Sequence, residues 1–353
     1  MGGDAASTGA PLHVGVAATS TIHGGAELNI EQIWTSPIVS AAAAGHLLGA
    51  LPHWAATGLA ATDLEIGAKW SYRRAVRSVA AMPGVVHRSR RTVTELHRSD
   101  PFDAFYAHFK REQVLLTSSL ARLAPVIWME HGHLPVGRFR RPLLVAYRRA
   151  SRDVSAITCL SESVRSELIE VLGDGAPDPV VIPNAIDAAW TAPATDRERR
   201  SAREALGVDP EALRVLSAVG QLIPRKRVEL AIDAANASGS WIIVCGEGPL
   251  APDLRLRAAG NPRVVFTGFL RDPRQVYAAA DVNLLVSDEE GFGQVLLEGA
   301  CAGLPAVVVA DGGFPERVAG WGAVADAPTG EAVAAAGDAA APMPPSPPPP
   351  WAG

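Results

Sequence analysis

The chain has 353 residues, a length that predicts two domains, each large enough to bury its own core. Hydrophobic residues make up 48% and charged residues 20%, as in ordinary globular proteins. The formal net charge of −5 excludes a global basic field that would attract nucleic acid.

Cysteine usage and the N-terminus predict a cytoplasmic protein. Cys159, Cys245 and Cys301 are far apart, lie in apolar contexts and form no CxxC pair, so we interpret them as reduced and structural. The N-terminus has no basic region followed by an apolar block, so no signal peptide is expected.

The first elements predict a strand, a glycine loop and a helix. Weak alternation over residues 12–18 predicts the strand, and Gly24-Gly25-Ala26-Glu27 precedes the helix start. A strand, a glycine pair and a helix start together are typical of a loop that lets a phosphate approach the backbone. A tight turn explains the two glycines equally well.

Residues 33–62 are harder to interpret. The stretch 38–61 is Ala-rich and apolar, but His46, Pro52 and His53 interrupt it. Because a membrane span needs about 20 mostly apolar residues without such breaks, we expect a buried or irregular helical segment here instead.

Two more strands follow in the N-terminal half. One is predicted at 102–108, and the other at 125–130 runs into Glu130-His131-Gly132-His133. Two histidines at this spacing lack an evident third ligand, so we do not expect a metal site.

Residues 138–152 mix six arginines with an apolar block. An exposed helix is the simpler interpretation, and a peripheral contact with the inner face of a membrane is the alternative. A strand at 155–160 comes next, and Ser161 is a predicted helix cap.

The C-terminal half alternates strands with helices, which predicts a parallel sheet. The strands are expected at 213–219, 241–245, 263–267, 282–286 and 306–309. We place one domain at 1–186, a second at 187–330, and a Pro-rich tail, expected to be disordered, at 331–353.

Three cations follow the first strand of this half, in the string Gly220-Gln-Leu-Ile-Pro-Arg225-Lys226-Arg227. Cations at the mouth of a strand–loop–helix unit suit a diphosphate, because they offset the charge that grows as a leaving group departs.

A second candidate string begins at the end of the strand at 282–286. Glu290 lies at that strand end, and Glu298 lies about two turns into the next helix. Ligands of open α/β sheets bind at this edge. Gly291 and Gly293 allow close approach to the backbone, and the helix start suits a phosphate.

The string at 290–305, with its flanking strands, resembles the Glu-x7-Glu motif of the family-4 glycosyltransferases, which are retaining enzymes of the GT-B fold. The resemblance implies two doubly wound, Rossmann-like α/β domains facing each other across a cleft. It also implies transfer of a sugar from a nucleotide diphosphate sugar to an acceptor hydroxyl, with the anomeric configuration retained. Further strings resemble loops of this family at 24–27, 183–184, 246–249 and 312–316.

The same resemblance implies roles for single residues. Glu290 would lie by the donor sugar, Glu298 would bind the ribose, and His131 would support the sugar from the N-terminal domain. Lys226 matches a lysine of the family, whereas Gln221 stands at the position of an arginine, for which Arg225 is a hypothetical substitute. The remaining implied donor-binding residues are Gly24, Gly25, Leu270, Gly291, Phe292 and Gly293.

The sequence departs from the family pattern at two residues: Gln221 replaces an arginine, and Ala185 replaces a glycine. We also do not find the terminal helix that is usual in the family. Two alternatives therefore stay open: a nucleotide-sugar epimerase or hydrolase of the same fold, and a catalytically impaired nucleotide-sugar-binding relative. A nicotinamide-linked dehydrogenase is disfavoured, because no GxGxxG follows the first strand. No metal or cofactor is expected, because the nucleotide sugar is a substrate. The sequence does not identify the acceptor.

Overall fold

The structure is a computed structural model, and the chain divides into two compact units, residues 1–183 and 184–353. The residues that it describes are 10–21, 24–64, 66, 75–134, 140–184, 186, 192–288, 290–310, 318 and 320–340.

The described part of unit 1 contains a seven-stranded parallel sheet. Its strands are β1 Leu12–Thr19, β2 Ala43–Ala50, β3 Ala61–Thr62, β4 Ala104–Ala107, β5 Val126–Glu130, β6 Ala156–Cys159 and β7 Val180–Val181. Their spatial order is β3-β2-β1-β4-β5-β6-β7, so the winding direction reverses between β1 and β4. The carboxyl ends of those two strands form the switch point at which open α/β sheets bind ligands.

Helices connect these strands and pack on the sheet, where they bury its apolar residues. They are α1 Gly25–Thr35, α2 Pro37–Ser40, α3 Ala75–Ser99, α4 Lys110–Leu120, α5 Arg140–Ser151 and α6 Glu162–Leu172. Phe105 of β4 and Trp128 of β5 are completely buried, and the Trp128 ring stacks on Tyr147 of α5. As predicted, the Ser161 hydroxyl caps α6 by accepting from the Val164 amide.

The expectation of a helical segment over 33–62 is wrong, because the middle of this stretch is strand β2. β2 pairs in parallel with β1 along its whole length. Gly45 explains the choice of strand: a Cβ there would lie 2.6 Å from the Trp34 ring of α1, so this helix packs directly on the β2 backbone. His46 does not interrupt the strand, since its imidazole bonds the Thr62 hydroxyl of β3 at 2.8 Å. No helix among the described residues is both long and apolar enough to cross a membrane.

Unit 2 contains a second parallel sheet, six-stranded over the described residues. Its strands are β8 Val215–Val219, β9 Trp241–Cys245, β10 Val264–Gly268, β11 Val282–Leu285, β12 Ala306–Val309 and β13 Gly322–Ala325. The spatial order is β10-β9-β8-β11-β12-β13, so its winding reverses between β8 and β11. The predicted class, two doubly wound α/β domains, is confirmed.

The helices of unit 2 are α7 Asp196–Ala205, α8 Val228–Ser238, α9 Ala251–Arg257, α10 Arg274–Ala279, α11 Gln294–Cys301 and α12 Gly330–Ala339. The prediction of a disordered tail at 331–353 is wrong for residues 331–339, which belong to helix α12. Thr329 caps it, and Gly330 lets it approach α8 so closely that a Cβ there would lie 2.4 Å from the Asp233 Cβ. Residues 341–353 and the predicted loop at 312–316 lie outside the described residues.

Candidate functional site

The loops that follow β8, β9 and β10 are joined through their backbones at the carboxyl edge of the unit 2 sheet. The Gly220 amide donates to the Cys245 carbonyl at 2.9 Å, and the Gly246 amide donates to the Gly268 carbonyl at 2.8 Å. A Cβ on Gly246, where φ is +142°, would lie 1.9 Å from the Gly220 oxygen. Glycine is therefore required at this crossing, and the loop after β8 has a fixed position.

The cationic turn at 224–227 is attached to the segment that follows β11, the neighbouring strand at the switch point. Residues Pro224–Lys226 form a 3₁₀ turn, and Arg227 adopts a left-handed conformation with φ of 45°. Its guanidinium donates to the carbonyls of Val286 at 2.9 Å and Ser287 at 3.0 Å. The Asp288 amide in turn donates to the Arg225 carbonyl at 2.8 Å. The Arg227 guanidinium is thus hydrogen-bonded to backbone carbonyls, and Arg225 and Lys226 are the candidate phosphate ligands.

Glu290 is brought against both of those cations. The Lys226 ammonium donates to Oε2 of Glu290, and the Arg225 guanidinium lies 3.5 Å from the same oxygen. The Lys226 and Glu290 side chains are 15% and 14% exposed, whereas Arg225 is 43% exposed. Burial raises the pKa of Glu290, but Lys226 and Arg225 together outweigh it, so the pKa is lowered. The carboxylate is therefore ionised at neutral pH and shared by two cations.

The start of α11 follows directly and is shaped by glycine. Gly293 has φ of +75°, and a Cβ there would meet the Leu285 and Leu296 side chains at 3.3 Å. Phe292 is buried beside it. The side-chain amide of Asn184 donates to Oε1 of Gln294 at 3.0 Å, and this hydrogen bond helps to fix the first turn of the helix.

Glu298 lies farther along α11 and is partly buried. The Tyr277 hydroxyl of α10 donates to its Oε2 at 2.6 Å. Burial raises the pKa of Glu298 to about 7, against the hydrogen bonds from Tyr277 and Gln294, which lower it. Lys226 is also near enough to lower this pKa, so both carboxylates of the predicted motif share one cation's field.

The other predicted residues of unit 2 lie at the same sheet edge. Gln221 is partly exposed in the loop after β8, between Gly220 and the buried Leu222. Leu270 follows β10 and packs on the apolar cluster that includes Cys245 and Val276. The structure therefore brings together the residues predicted for the donor from the C-terminal half.

The residues predicted from the N-terminal half lie at the carboxyl edge of the unit 1 sheet, after β1 and β5. Gly24 precedes α1 and Gly25 begins it; a Cβ on Gly25 would meet no atom within 4 Å, so packing does not require glycine there. His131 follows β5, and its Nε2 lies 3.1 Å from Nδ1 of His108, which follows β4. Burial, and then Lys110, lowers the pKa of His131 to about 3, so the ring is neutral.

Comparison with known proteins supplies an independent observation. Residues 214–341 match the model described as "Glycosyl transferases group 1", and residues 59–190 match "Glycosyltransferase Family 4". Together the two ranges take in more than half of the chain and contain most of the predicted site residues. Each half of the chain is therefore similar to a glycosyltransferase family model.

The curated relatives of this chain match it over only part of their own length. D-inositol 3-phosphate glycosyltransferase of Mycolicibacterium gilvum is 33% identical over 135 residues, which are 35% of this chain and 30% of the relative. The sulfoquinovosyl transferase SQD2 of Arabidopsis thaliana is 27% identical over 242 residues, 65% of this chain and 47% of the relative. A GDP-mannose-dependent phosphatidylinositol monomannoside mannosyltransferase of Corynebacterium glutamicum is 28% identical over 218 residues, 57% and 56% of the two chains. The chain thus spans about half the length of these relatives or less.

Solved structures match nearly all of the chain. HepE of Anabaena, solved in complex with UDP-glucose, has a TM-score of 0.74 at 23% identity and covers 92% of this chain and 88% of its own. WaaG, a glycosyltransferase involved in lipopolysaccharide biosynthesis, has a TM-score of 0.64 at 17% identity, with coverages of 92% and 89%. At these identities the matches show the fold, and this fold is the one predicted.

Sequence reasoning missed a buried polar group beside His131 in unit 1. The Lys110 ammonium contacts the Glu130 carboxylate and lies 3.4 Å from the Tyr147 hydroxyl, which itself donates to Glu130. Burial lowers the pKa of Lys110 to about 7, although Glu167 raises it. The available signal was that polar residues directly follow both β4 and β5, whose ends are adjacent.

His133, the other histidine of the predicted pair, contacts a different helix. Its Nδ1 lies 2.8 Å from the Glu167 carboxylate of α6, which also accepts from the Leu134 amide at 3.2 Å. His133 therefore fixes the loop after β5, and His131 stays the residue of the pair that is predicted to serve the donor.

Proposed function

We propose that this protein is a retaining glycosyltransferase that moves a sugar from a nucleotide diphosphate sugar to an acceptor hydroxyl. The observation that carries the proposal is the group formed by Glu290, Lys226 and Arg225 at the switch point of the unit 2 sheet. It combines two cations for a diphosphate with a carboxylate for a sugar, and Glu298 lies on the helix that follows.

The cations would act on the leaving group. Negative charge grows on the diphosphate as its bond to the sugar breaks, and fixed positive groups stabilise that charge. The Lys226 side chain is only partly exposed and lies on a fixed turn, so little reorganisation is required when the charge develops. In this proposal the diphosphate becomes a partner of Lys226 and Arg225, and Glu290 then accepts a hydrogen bond from a sugar hydroxyl.

No protein nucleophile is required by this proposal. The leaving phosphate oxygen takes the acceptor's proton on the face that it vacates, which retains the anomeric configuration. The protein's contribution is then positioning and charge stabilisation. His131, which is neutral, supports the donor sugar by hydrogen bonding and not by charge. We further propose transfer without a metal ion, since Lys226 and Arg225 supply the positive charge that a diphosphate needs.

The test begins with donor binding. A thermal-shift screen with UDP-, GDP-, ADP- and TDP-sugars identifies the donor, because a ligand that binds the native state raises its melting temperature. UDP-glucose is the first probe, since HepE was solved with it, and GDP-mannose is the second, given the mannosyltransferase relatives. The product's anomeric configuration is then read by NMR, with EDTA present and absent. Inversion, or activity lost in EDTA, would overturn the corresponding part of the proposal.

One observation favours a second candidate, a nucleotide-sugar-binding relative without transferase activity. Gln221 supplies no charge where an arginine is expected, and Glu290 already offsets part of the charge on Lys226 and Arg225. Donor binding without turnover against a panel of acceptors would support this candidate. Donor consumption that is independent of any acceptor would instead indicate a hydrolase.

A peripheral membrane contact through residues 138–152 is a separate part of the proposal. Arg141, Val145 and Arg149 lie along one exposed face of α5, and Val145 is 66% exposed. Arginines around an apolar residue suit an anionic lipid surface. Sedimentation with phosphatidylglycerol vesicles, but not with phosphatidylcholine vesicles, is expected. The double change Arg141→Glu and Arg149→Glu should abolish it, whereas Arg91→Glu on α3 serves as the matched control.

A further inference from the structure

Helix α10 is held at its carboxyl end by arginines of α7. Arg203 donates to the Ala279 carbonyl at 3.0 Å, and Arg199 donates to the Ala280 carbonyl at 3.1 Å. Both guanidinium groups also bind the Asp281 carboxylate, which accepts from the Val215 amide of β8 at 2.8 Å. The last carbonyls of a helix have no partner within it, so these bonds fix α10 against the sheet.

Tyr277 projects from this fixed helix toward α11. Its side chain is 1% exposed, and its hydroxyl donates to Oε2 of Glu298 at 2.6 Å. This length is typical of a strong bond between a hydroxyl and a carboxylate. Burial raises the pKa of Tyr277 well above its usual value, so the phenol stays protonated and remains a donor.

We infer that Tyr277 is a positioning residue of the donor site: its hydroxyl fixes the Glu298 carboxylate through one oxygen and presents the other to the hydroxyls of the donor's ribose. The inference rests on the proposed function and assigns a role to a residue outside the Glu-x7-Glu string. Tyr277 acts through Glu298 and does not contact the donor in this assignment.

The hydrogen bond has a second effect, on the charge of Glu298. A donor to the ionised carboxylate favours that form, in opposition to burial. The other groups that act on this carboxylate are Gln294 of α11 and Lys226 of the cationic turn, which favour ionisation, and Asp272 before α10, which opposes it. Cys245 and Cys301 are also close to the carboxylate. Loss of the Tyr277 hydroxyl therefore leaves Glu298 protonated to a higher pH.

The experiment follows donor affinity against pH. Isothermal titration calorimetry with UDP-glucose, or with the donor that the thermal-shift screen selects, is carried out from about pH 6 to about pH 9. In the unaltered protein, affinity should rise with pH as Glu298 ionises and accepts from the ribose. In Tyr277→Phe the midpoint of this rise should move upward by about one pH unit, with affinity at neutral pH reduced about tenfold.

Two further variants separate positioning from a merely structural role. In the Glu298→Gln background, which has no carboxylate to titrate, Tyr277→Phe should leave the pH dependence unchanged. Replacing Tyr277 by 3-fluorotyrosine keeps its shape and strengthens the donor, so the midpoint should move downward. This replacement also preserves the test if Tyr277→Phe does not fold. Tyr106→Phe, which removes a buried hydroxyl from unit 1, is the control for loss of a phenol hydroxyl.

The possible results distinguish two failures. Binding by the unaltered protein, with the same midpoint in both Tyr277 variants, would overturn the inference while leaving the proposed function intact. An equal loss of affinity at every pH would also overturn it, since a packing defect gives that result. Absence of binding to any nucleotide sugar by the unaltered protein would overturn the proposed function, and the inference with it.

Discussion

Replacing Lys226 by methionine removes one charge from the candidate donor site and keeps most of the side-chain volume. The ammonium donates to Glu290 and is near enough to influence Glu298, so the change affects both carboxylates. Glu290 keeps Arg225 at 3.5 Å and is not left without a cation. We therefore expect the unit to fold, with an unfolding free energy lower by about 1–2 kcal/mol.

Donor affinity should fall by a similar or slightly larger free energy. A hydrogen bond to a charged group is worth about 1.5–3 kcal/mol, which corresponds to a weakening of about 10- to 150-fold. Part of the Lys226 charge is already offset by Glu290 in the unliganded protein, so the lower half of this range is expected. The difference between the two proteins should narrow at high salt, because screening weakens attraction to the diphosphate.

Calorimetry with the nucleotide sugar and with the corresponding nucleoside provides the assay and its internal control. The nucleoside lacks the diphosphate, so both proteins should bind it equally. Arg197→Met, which removes an exposed cation from α7, should leave nucleotide-sugar affinity unchanged. Equal affinity of Lys226→Met and the unaltered protein for the nucleotide sugar would refute the phosphate role. An equal loss for nucleoside and nucleotide sugar would refute it as well.

Three other outcomes are expected. Glu290→Gln should reduce turnover about 100-fold or more, with donor affinity changed much less, as measured by product formation under saturating donor; unchanged turnover would remove Glu290 from the mechanism. Glu298 has a folded-state pKa of about 7 against an ordinary value of 4.5, so it stabilises the fold at low pH and this stabilisation is lost as pH rises through about 7. The free energy of unfolding of the unaltered protein, relative to Glu298→Gln, should therefore fall by about 2–3 kcal/mol between pH 5 and pH 8 in urea titrations, and a constant difference would contradict the raised pKa. Arg203→Ala should destabilise unit 2 by about 3 kcal/mol in the same titrations, because it removes a donor to the carbonyls of Ala279, Pro210 and Ala212 and one of the two arginines that bind Asp281, and a loss below about 1 kcal/mol would contradict this.

Much of the fold was predictable because its strands are short apolar runs separated by polar helices. β12 is buried at every residue and β9 at every residue but its first, and such strands appear in a sequence as uninterrupted apolar residues. β11 is also buried throughout and contains one polar residue, Asn283. β2 was missed because its identity depends on a distant contact. Ala and Gly dominate its sequence, and only the packing of Trp34 on Gly45 shows why a strand forms there. α12 was missed for a related reason, since its buried face consists largely of Gly and Ala.

The charged residues of the candidate site were predictable from the sequence, but the groups that each of them contacts were not. The sequence shows three adjacent cations at 225–227 and cannot show that Arg227 turns its guanidinium to backbone carbonyls. Likewise, Tyr277 and Glu298 are 21 positions apart, and their hydrogen bond follows from the packing of α10 beside α11. His108 and His131 pair for the same reason, because β4 and β5 are neighbours in the sheet.

We expect Glu290 also to determine the selectivity of the proposed donor site toward anions. The Glu290 carboxylate is paired with Lys226 and Arg225, so inorganic phosphate would have to displace it in order to bind them. Phosphate offers no further groups that could compensate for this displacement, so its binding free energy should be small. A nucleotide sugar can compensate for that displacement with its sugar hydroxyls and its ribose. We therefore expect this internal counterion to protect the proposed site from blockage by small anions.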